Sequence, residues 1–109
     1  MPNIKQYDLE ERTFKFAQKC RVFIRQLTSS ISSREDAKQL ARSSGSIAAN
    51  YIEANVSLSK KDFVMRMKIS RKEAKETILW LRLLKAPDEL INEATELKKI
   101  LSAIIVKSG

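Results

Sequence analysis

The sequence has no histidine, a single cysteine, a single tryptophan, two glycines and two prolines in 109 residues. Without histidine there are no Glu-x-x-His ligands for a di-iron centre, no histidine-dependent triad and none of the usual zinc sites. The chain therefore reads as a non-enzyme that holds no metal or other cofactor. Cys20 has no partner for a disulfide, and its helical phase matches Leu9, Phe16 and Phe23, which predicts a core thiol and not a nucleophile. Scarce glycine and proline leave long uninterrupted helices as the default. No apolar run approaches the roughly 20 residues needed to cross a bilayer. The opening stretch MPNIKQYDLEER is too acidic and polar for a signal peptide, so a cytoplasmic location without membrane association is expected. In that setting the glycosylation pattern at Asn55-Val56-Ser57 is incidental.

Basic charge is what the chain has in quantity: 21 lysines and arginines face 13 aspartates and glutamates, a formal net charge of +8. An acidic partner follows, nucleic acid being the commonest for a cytoplasmic protein, although many basic bundles are charged only for solubility. The length suits one domain, residues 1–109, with its own core.

Hydrophobic spacing divides that domain into four helices. Asp8 and Glu11 form a capping pattern for a first helix that runs to about Ser29, with Leu9, Thr13, Phe16, Cys20, Phe23 and Leu27 on its inner stripe. Ser33 and Asp36 are the expected cap of a second helix reaching about Val56, and Ser59 with Asp62 opens the third. Phe63, Met67, Ser70, Ala74, Thr77, Leu81 and Leu84 keep a three-four alternation along the third helix, so it should pack lengthwise. Ala86-Pro87 stops it, and Leu90, Ala94, Leu97, Leu101 and Ile104 turn inward on a fourth helix from Asp88 to about Lys107. Short connections make neighbours antiparallel, which predicts an all-α, up-down-up-down four-helix bundle.

The second helix looks covered on two sides. Leu40, Ser44, Ile47, Ala48 and Tyr51 form one face, and Gln39, Arg42, Ser46, Asn50 and Glu53 the other, where short and amide side chains suit close approach of another polypeptide. The third helix carries a second stripe of Asp62, Met65, Ile69, Glu73, Glu76, Trp80 and Leu83. Trp80 beside Ile69 and Leu83 is a typical interface anchor, and Arg42 can take the Glu73 or Glu76 carboxylate bidentately. These stripes predict self-association, with Arg42, Ser46, Asn50 and Glu53 of one subunit meeting Ile69, Glu73, Glu76 and Trp80 of the next. The alternative is that both glutamates are solvated and Trp80 caps the core. Two unlike patches in contact make a head-to-tail arrangement, which closes into a ring or continues as a fibre, and a soluble protein favours the ring.

A basic face of the third helix holds Lys68, Arg71, Lys72, Lys75 and Arg82. Such a row matches the periodic charge of a phosphate backbone, and a plain solvated face is the competing reading. With no interleaved aromatics, phosphate loop or helix-turn-helix, base-specific recognition is not indicated.

Three segments in order carry a resemblance: Gln39-Leu40-x-Arg42-Ser43-x-x-Ser46-Ile47-x-Ala49-Asn50-x-x-Glu53, Ser59-x-Lys61-Asp62-Phe63, and Glu73-Ala74-x-Glu76-Thr77-x-x-Trp80-Leu81. With the opening Asp8-Leu9-x-x-Arg12-Thr13-x-x-Phe16-Ala17, they resemble the small bacterial four-helix-bundle proteins encoded within intervening sequences of 23S ribosomal RNA genes. That family is in turn similar to the accessory variability proteins of diversity-generating retroelements. The resemblance implies a basic homopentameric barrel and, through the second group, binding of RNA and a reverse transcriptase. The family usually has glycine after the second-helix glutamate, where this chain has Ala54, so the second helix can continue further.

Two functional classes remain at this level: a self-assembling bundle, a homopentamer by resemblance, that binds structured RNA or DNA without sequence specificity, and a protein–protein scaffold with incidental positive charge. A third, an RNA-cleaving domain of the toxin kind, lacks its usual histidine motif.

Overall fold

A computed structural model describes residues 4–28 and 30–108, with side chains from Asp8 onward in the first helix. Four helices follow one another: α1 (Ile4–Arg25), α2 (Ile31–Asn55), α3 (Lys60–Leu83) and α4 (Asp88–Ser108), and no strand occurs among the described residues. The molecule measures 46 × 22 × 19 Å. A helix of 24 residues such as α3 is about 36 Å long, so the helices run lengthwise.

Neighbour pairs α1–α2, α2–α3, α3–α4 and α1–α4 pack together, while among the described residues the backbones of the two diagonal pairs do not come close. Side-chain links fix the directions. Glu10 meets Asn55 and Arg21 meets Ala41, so α1 and α2 run oppositely. Asn50 meets Arg66 and Ile47 meets Ser70, which does the same for α2 and α3. Arg12 reaches Glu93 and Lys19 reaches Glu89, completing an up-down-up-down bundle.

The core follows the three-four spacing closely. Leu9, Thr13, Phe16 and Cys20 are buried from α1, Leu40, Ser44, Ile47 and Tyr51 from α2, and Met67, Ser70, Ala74, Thr77 and Leu81 from α3. On α4 the last buried residue is Ile105, not Ile104, because the stripe takes a step of four from Leu101. Phe23, Leu27 and Phe63 sit at the bundle ends and are only half-buried, as is Ala48. Cys20 is completely enclosed, and burial pushes its thiol up from 9.0 to about 12.

Two expected caps move. Asp8 lies a full turn inside α1, which begins at Ile4, so it caps nothing; the helix ends at Arg25, and Ser29 lies outside the described residues. α2 is capped by Ser30, not Ser33. The Ser30 hydroxyl accepts from the Ser33 N–H at 3.2 Å, and the Ser33 hydroxyl accepts from the Ser30 N–H at 3.0 Å. In a run of serines, the one whose box closes reciprocally begins the helix. Ser59 caps α3 as expected, accepting from the Asp62 N–H at 3.1 Å.

After α3, Lys85 takes the left-handed conformation (φ 55°), while Ala86 N–H donates to the Leu81 carbonyl at 2.9 Å and Lys85 N–H to that of Arg82 at 3.1 Å. This is a Schellman closure with lysine where glycine is usual, and Ala86 is buried at its hydrophobic contact position. Pro87 then supplies the carbonyl that accepts from Leu90 N–H at 3.0 Å, starting α4. In mid-α2, Gly45 leaves room for the Arg21 guanidinium, which donates to the Ala17 carbonyl at 3.1 Å and the Ala41 carbonyl at 3.2 Å. A Cβ at Gly45 would stand 3.2 Å from Arg21 Nη2.

Candidate functional site

Small polar side chains let α2 and α3 come close, and each hydroxyl finds a partner. Ser70 Oγ donates to the Ile47 carbonyl at 2.8 Å across the seam. Thr77 Oγ1 donates to the Glu73 carbonyl at 2.8 Å and meets Ser43 Oγ at 2.8 Å. Further along, the Asn50 amide donates to the Ser46 carbonyl at 2.9 Å, while its oxygen accepts from Arg66 at 3.3 Å.

The same seam holds the ionic cluster. Arg42 donates to both oxygens of Glu73 at 3.2 Å and to Glu76 at 3.1 Å. Glu73 is 6% exposed, so this guanidinium satisfies an almost buried carboxylate. The hydrogen bond to Glu73 raises the Arg42 pKa further above its already high ordinary value. The partner expected from a neighbouring subunit is therefore supplied by the same chain. The physical reason is bundle geometry: on antiparallel neighbours, the flank beside each core stripe faces the other helix's flank. Arg42, Ser46, Asn50, Glu73 and Glu76 accordingly form one continuous α2/α3 seam within the chain, not two opposed patches.

Outside that seam the stripe becomes a surface. Glu53 is exposed on α2, and Ile69 and Trp80 are half-buried on α3. Trp80 Nε1 is shielded from solvent and has no acceptor among the described residues. Farther out on α3, Met65, Leu79 and Leu83 are 47%, 48% and 54% exposed, a row of apolar side chains that the described residues leave half uncovered.

The other flank of α3 is basic. Lys68, Lys72, Lys75 and Arg82 are exposed and Arg71 is half-buried, and none of the five is in an ion pair among the described residues. From Lys68 to Arg82 the row extends about 21 Å along the helix. Lys60 and Lys61 prolong it toward the helix start, and neither is in the basic row expected from the sequence, although their phase is available there. Lys98 was missed as well. Glu89 and Glu93 turn one flank of α4 to α1, which leaves Lys98 on the flank turned to α3.

Among the described residues no group of three or more His, Cys, Asp or Glu side chains could hold a metal. No helix there is long and apolar enough to cross a membrane.

Comparison with known proteins agrees with the architecture. The family model described as 23S rRNA-intervening sequence protein matches residues 5–105. A crystal structure at 1.70 Å of a protein of unknown function from the S23 ribosomal protein family, from Bacteroides thetaiotaomicron VPI-5482, superposes with a TM-score of 0.81. It is 30% identical, and the match covers 94% of this chain and 98% of that one. Among curated proteins none matches.

Proposed function

For a chain that belongs to the 23S rRNA-intervening sequence protein family, we propose a non-enzymatic, self-assembling cytoplasmic bundle that binds structured RNA through the basic flank of α3 without reading base sequence. The observation that carries this reading is the row Lys68, Arg71, Lys72, Lys75 and Arg82, whose charges no carboxylate of the chain neutralises among the described residues. Cations spaced along one straight helix can each displace a counterion from a phosphate, and assembly would repeat the row around the ring. The homopentamer is the ring implied by the family resemblance. Its contact surface is the outer α2/α3 face, where Trp80, Leu79 and Leu83 stand beside the Arg42 cluster.

Fluorescence anisotropy with a structured RNA and a matched DNA duplex, at low and at physiological salt, tests the binding. Affinity should fall steeply with salt, and reversal of Lys68, Arg71, Lys72 and Lys75 to glutamate should abolish it while leaving the solution mass unchanged. Retained affinity in that variant would place the binding surface elsewhere. Because Arg42 also holds Glu73 within the chain, assembly is better tested at exposed Leu83: Leu83→Asp should lower the mass measured by light scattering without loss of helicity. An unchanged mass would remove this face from the interface.

The scaffold reading retains one specific support, the exposed Met65, Leu79 and Leu83. It predicts a partner whose binding is nearly indifferent to salt.

A further inference from the structure

A head-to-tail contact needs two unlike faces. The folded chain keeps only one of the two expected from its sequence, because Arg42 and Asn50 close onto α3 within the chain. The face carrying Met65, Trp80 and Leu83 is thereby left without a mate, and the α1/α2 side of the bundle has the features of one.

Phe14 and Ile52 are 52% and 48% exposed there. Glu10 and Arg21 mark the flank of α1 that faces α2, and Ala41 marks the flank of α2 that faces α1. Helical phase puts Phe14 and Ile52 just outside those flanks. Toward the other end of the same side, Ile24, Leu27, Ala37 and Ala41 line an open groove of about 430 Å³.

Cross-helix contacts set the heights of these features along the bundle. Ile47 with Ser70 and Asn50 with Arg66 put Ile52 within about one turn of the level of Met65. Glu10 with Asn55 brings Phe14 to that level too. Arg42 with Glu73 and Glu76 carries the groove, at Ala37 and Ala41, to the level of Trp80 and its neighbour Leu83. The apolar features of the two sides therefore stand at matching heights.

The angle between the sides also follows from phase. Met65, Ile69, Trp80 and Leu83 centre about 130° from the α3 core stripe on the side of α2, and Phe14 and Ile52 lie about 120° from their own core stripes, each toward the other helix. In a square of four helices those two directions are roughly 90° apart. A closed ring of four copies needs about 90° between contact faces and a ring of five about 108°. Matching heights mean little rise from copy to copy, which separates a ring from a fibre.

We propose that the α1/α2 side is the receiving face for a second copy of this chain. Trp80 and Leu83 of one copy seat at the groove of Ile24, Leu27, Ala37 and Ala41 of the next, and Met65 packs on Phe14 and Ile52. The assignment rests on the self-assembly reading and supplies its second face. In such a ring α2 turns toward the central axis, and the basic row from Lys68 to Arg82 stays on the outer side.

The test is light scattering on the full chain and two variants that each spoil one face. Phe14→Asp with Ile52→Asp alters the receiving face, and Leu83→Asp alters the other. Wild type should scatter as an assembly and each variant as a single chain of 12.5 kDa. An equimolar mixture of the two variants should give a species of twice that mass, since each pair of unlike chains retains one intact contact. Wild-type mass in the Phe14 and Ile52 variant would overturn this inference and leave self-assembly standing. Variants that stay single when mixed would overturn the pairing of these two faces. A single-chain wild type would instead overturn the self-assembly reading, and this inference with it, as would an unchanged mass for Leu83→Asp overturn the α3 face. All three substituted side chains are about half exposed, so the core stays intact, and circular dichroism verifies this directly.

Discussion

The α2/α3 and α1/α4 seams join the same bundle by different means. α2 and α3 form the most intimate pair and α1 and α4 the least. In the first, small residues allow close approach and Ser43, Ser70 and Thr77 bury their hydroxyls against partners. In the second, long side chains reach across a gap: Arg12 donates to both oxygens of Glu93 at 2.7 Å, and Lys19 meets Glu89 at 3.5 Å. Beside that gap a cleft of about 580 Å³ opens, lined by Leu9, Arg12, Phe63, Ile100, Ala103 and Ile104 among others. A tight seam gains uniqueness from volume and hydrogen bonding and tolerates change poorly, whereas a bridged seam depends on tethers that water can replace.

The sharpest way to break the comparison is to enlarge one side chain in each seam. Ser70→Leu should cost about 2–4 kcal/mol, since it overpacks a closed contact and removes a buried hydrogen bond. Ala103→Leu, at the cleft, should lie within about 1 kcal/mol of neutral. Urea unfolding compares the two, and equal losses would mean that the seams are alike. A smaller contrast comes from the arginines. Arg42→Ala leaves nearly buried Glu73 without its ion pair and should cost about 1–3 kcal/mol. Arg12→Ala removes a pair whose carboxylate side chain, Glu93, is 28% exposed against 8% for that of Glu73, and should cost about 1 kcal/mol or less. The smallest effect belongs to Lys19→Ala, expected within about 0.5 kcal/mol because both partners are largely exposed.

Much of this architecture is legible in the residues. The core stripes of α1, α2, α3 and α4 follow from three-four spacing, and Ser59 and Pro87 mark boundaries because their chemistry is local. Asp8 and Ser33 mislead for the same reason. A capping pattern needs only residues three apart, and the backbone decides whether a helix has already begun. Arg42, Glu73 and Glu76 are recognisable as partners by chemistry alone. Which chain supplies them is not, because helical phase orients a stripe relative to its own core and leaves open which neighbouring helix stands beside it. The basic row of Lys68 to Arg82 needs only one helix's phase, so it was readable. Lys98 requires knowing which flank of α4 turns to α3, and that emerges only from the Glu89 and Glu93 contacts.

Gly45 carries a different kind of consequence. In mid-helix it costs about 1 kcal/mol relative to alanine, and the Arg21 guanidinium lying over it is the visible reason for its presence. The two positions are thus a coupled pair in the genetic sense. Alanine at 45 alone must displace the strap between α1 and α2, while loss of the arginine alone leaves a helix needlessly loosened. Lineages that shorten residue 21 should be those in which residue 45 drifts away from glycine, so across homologues the two should change together.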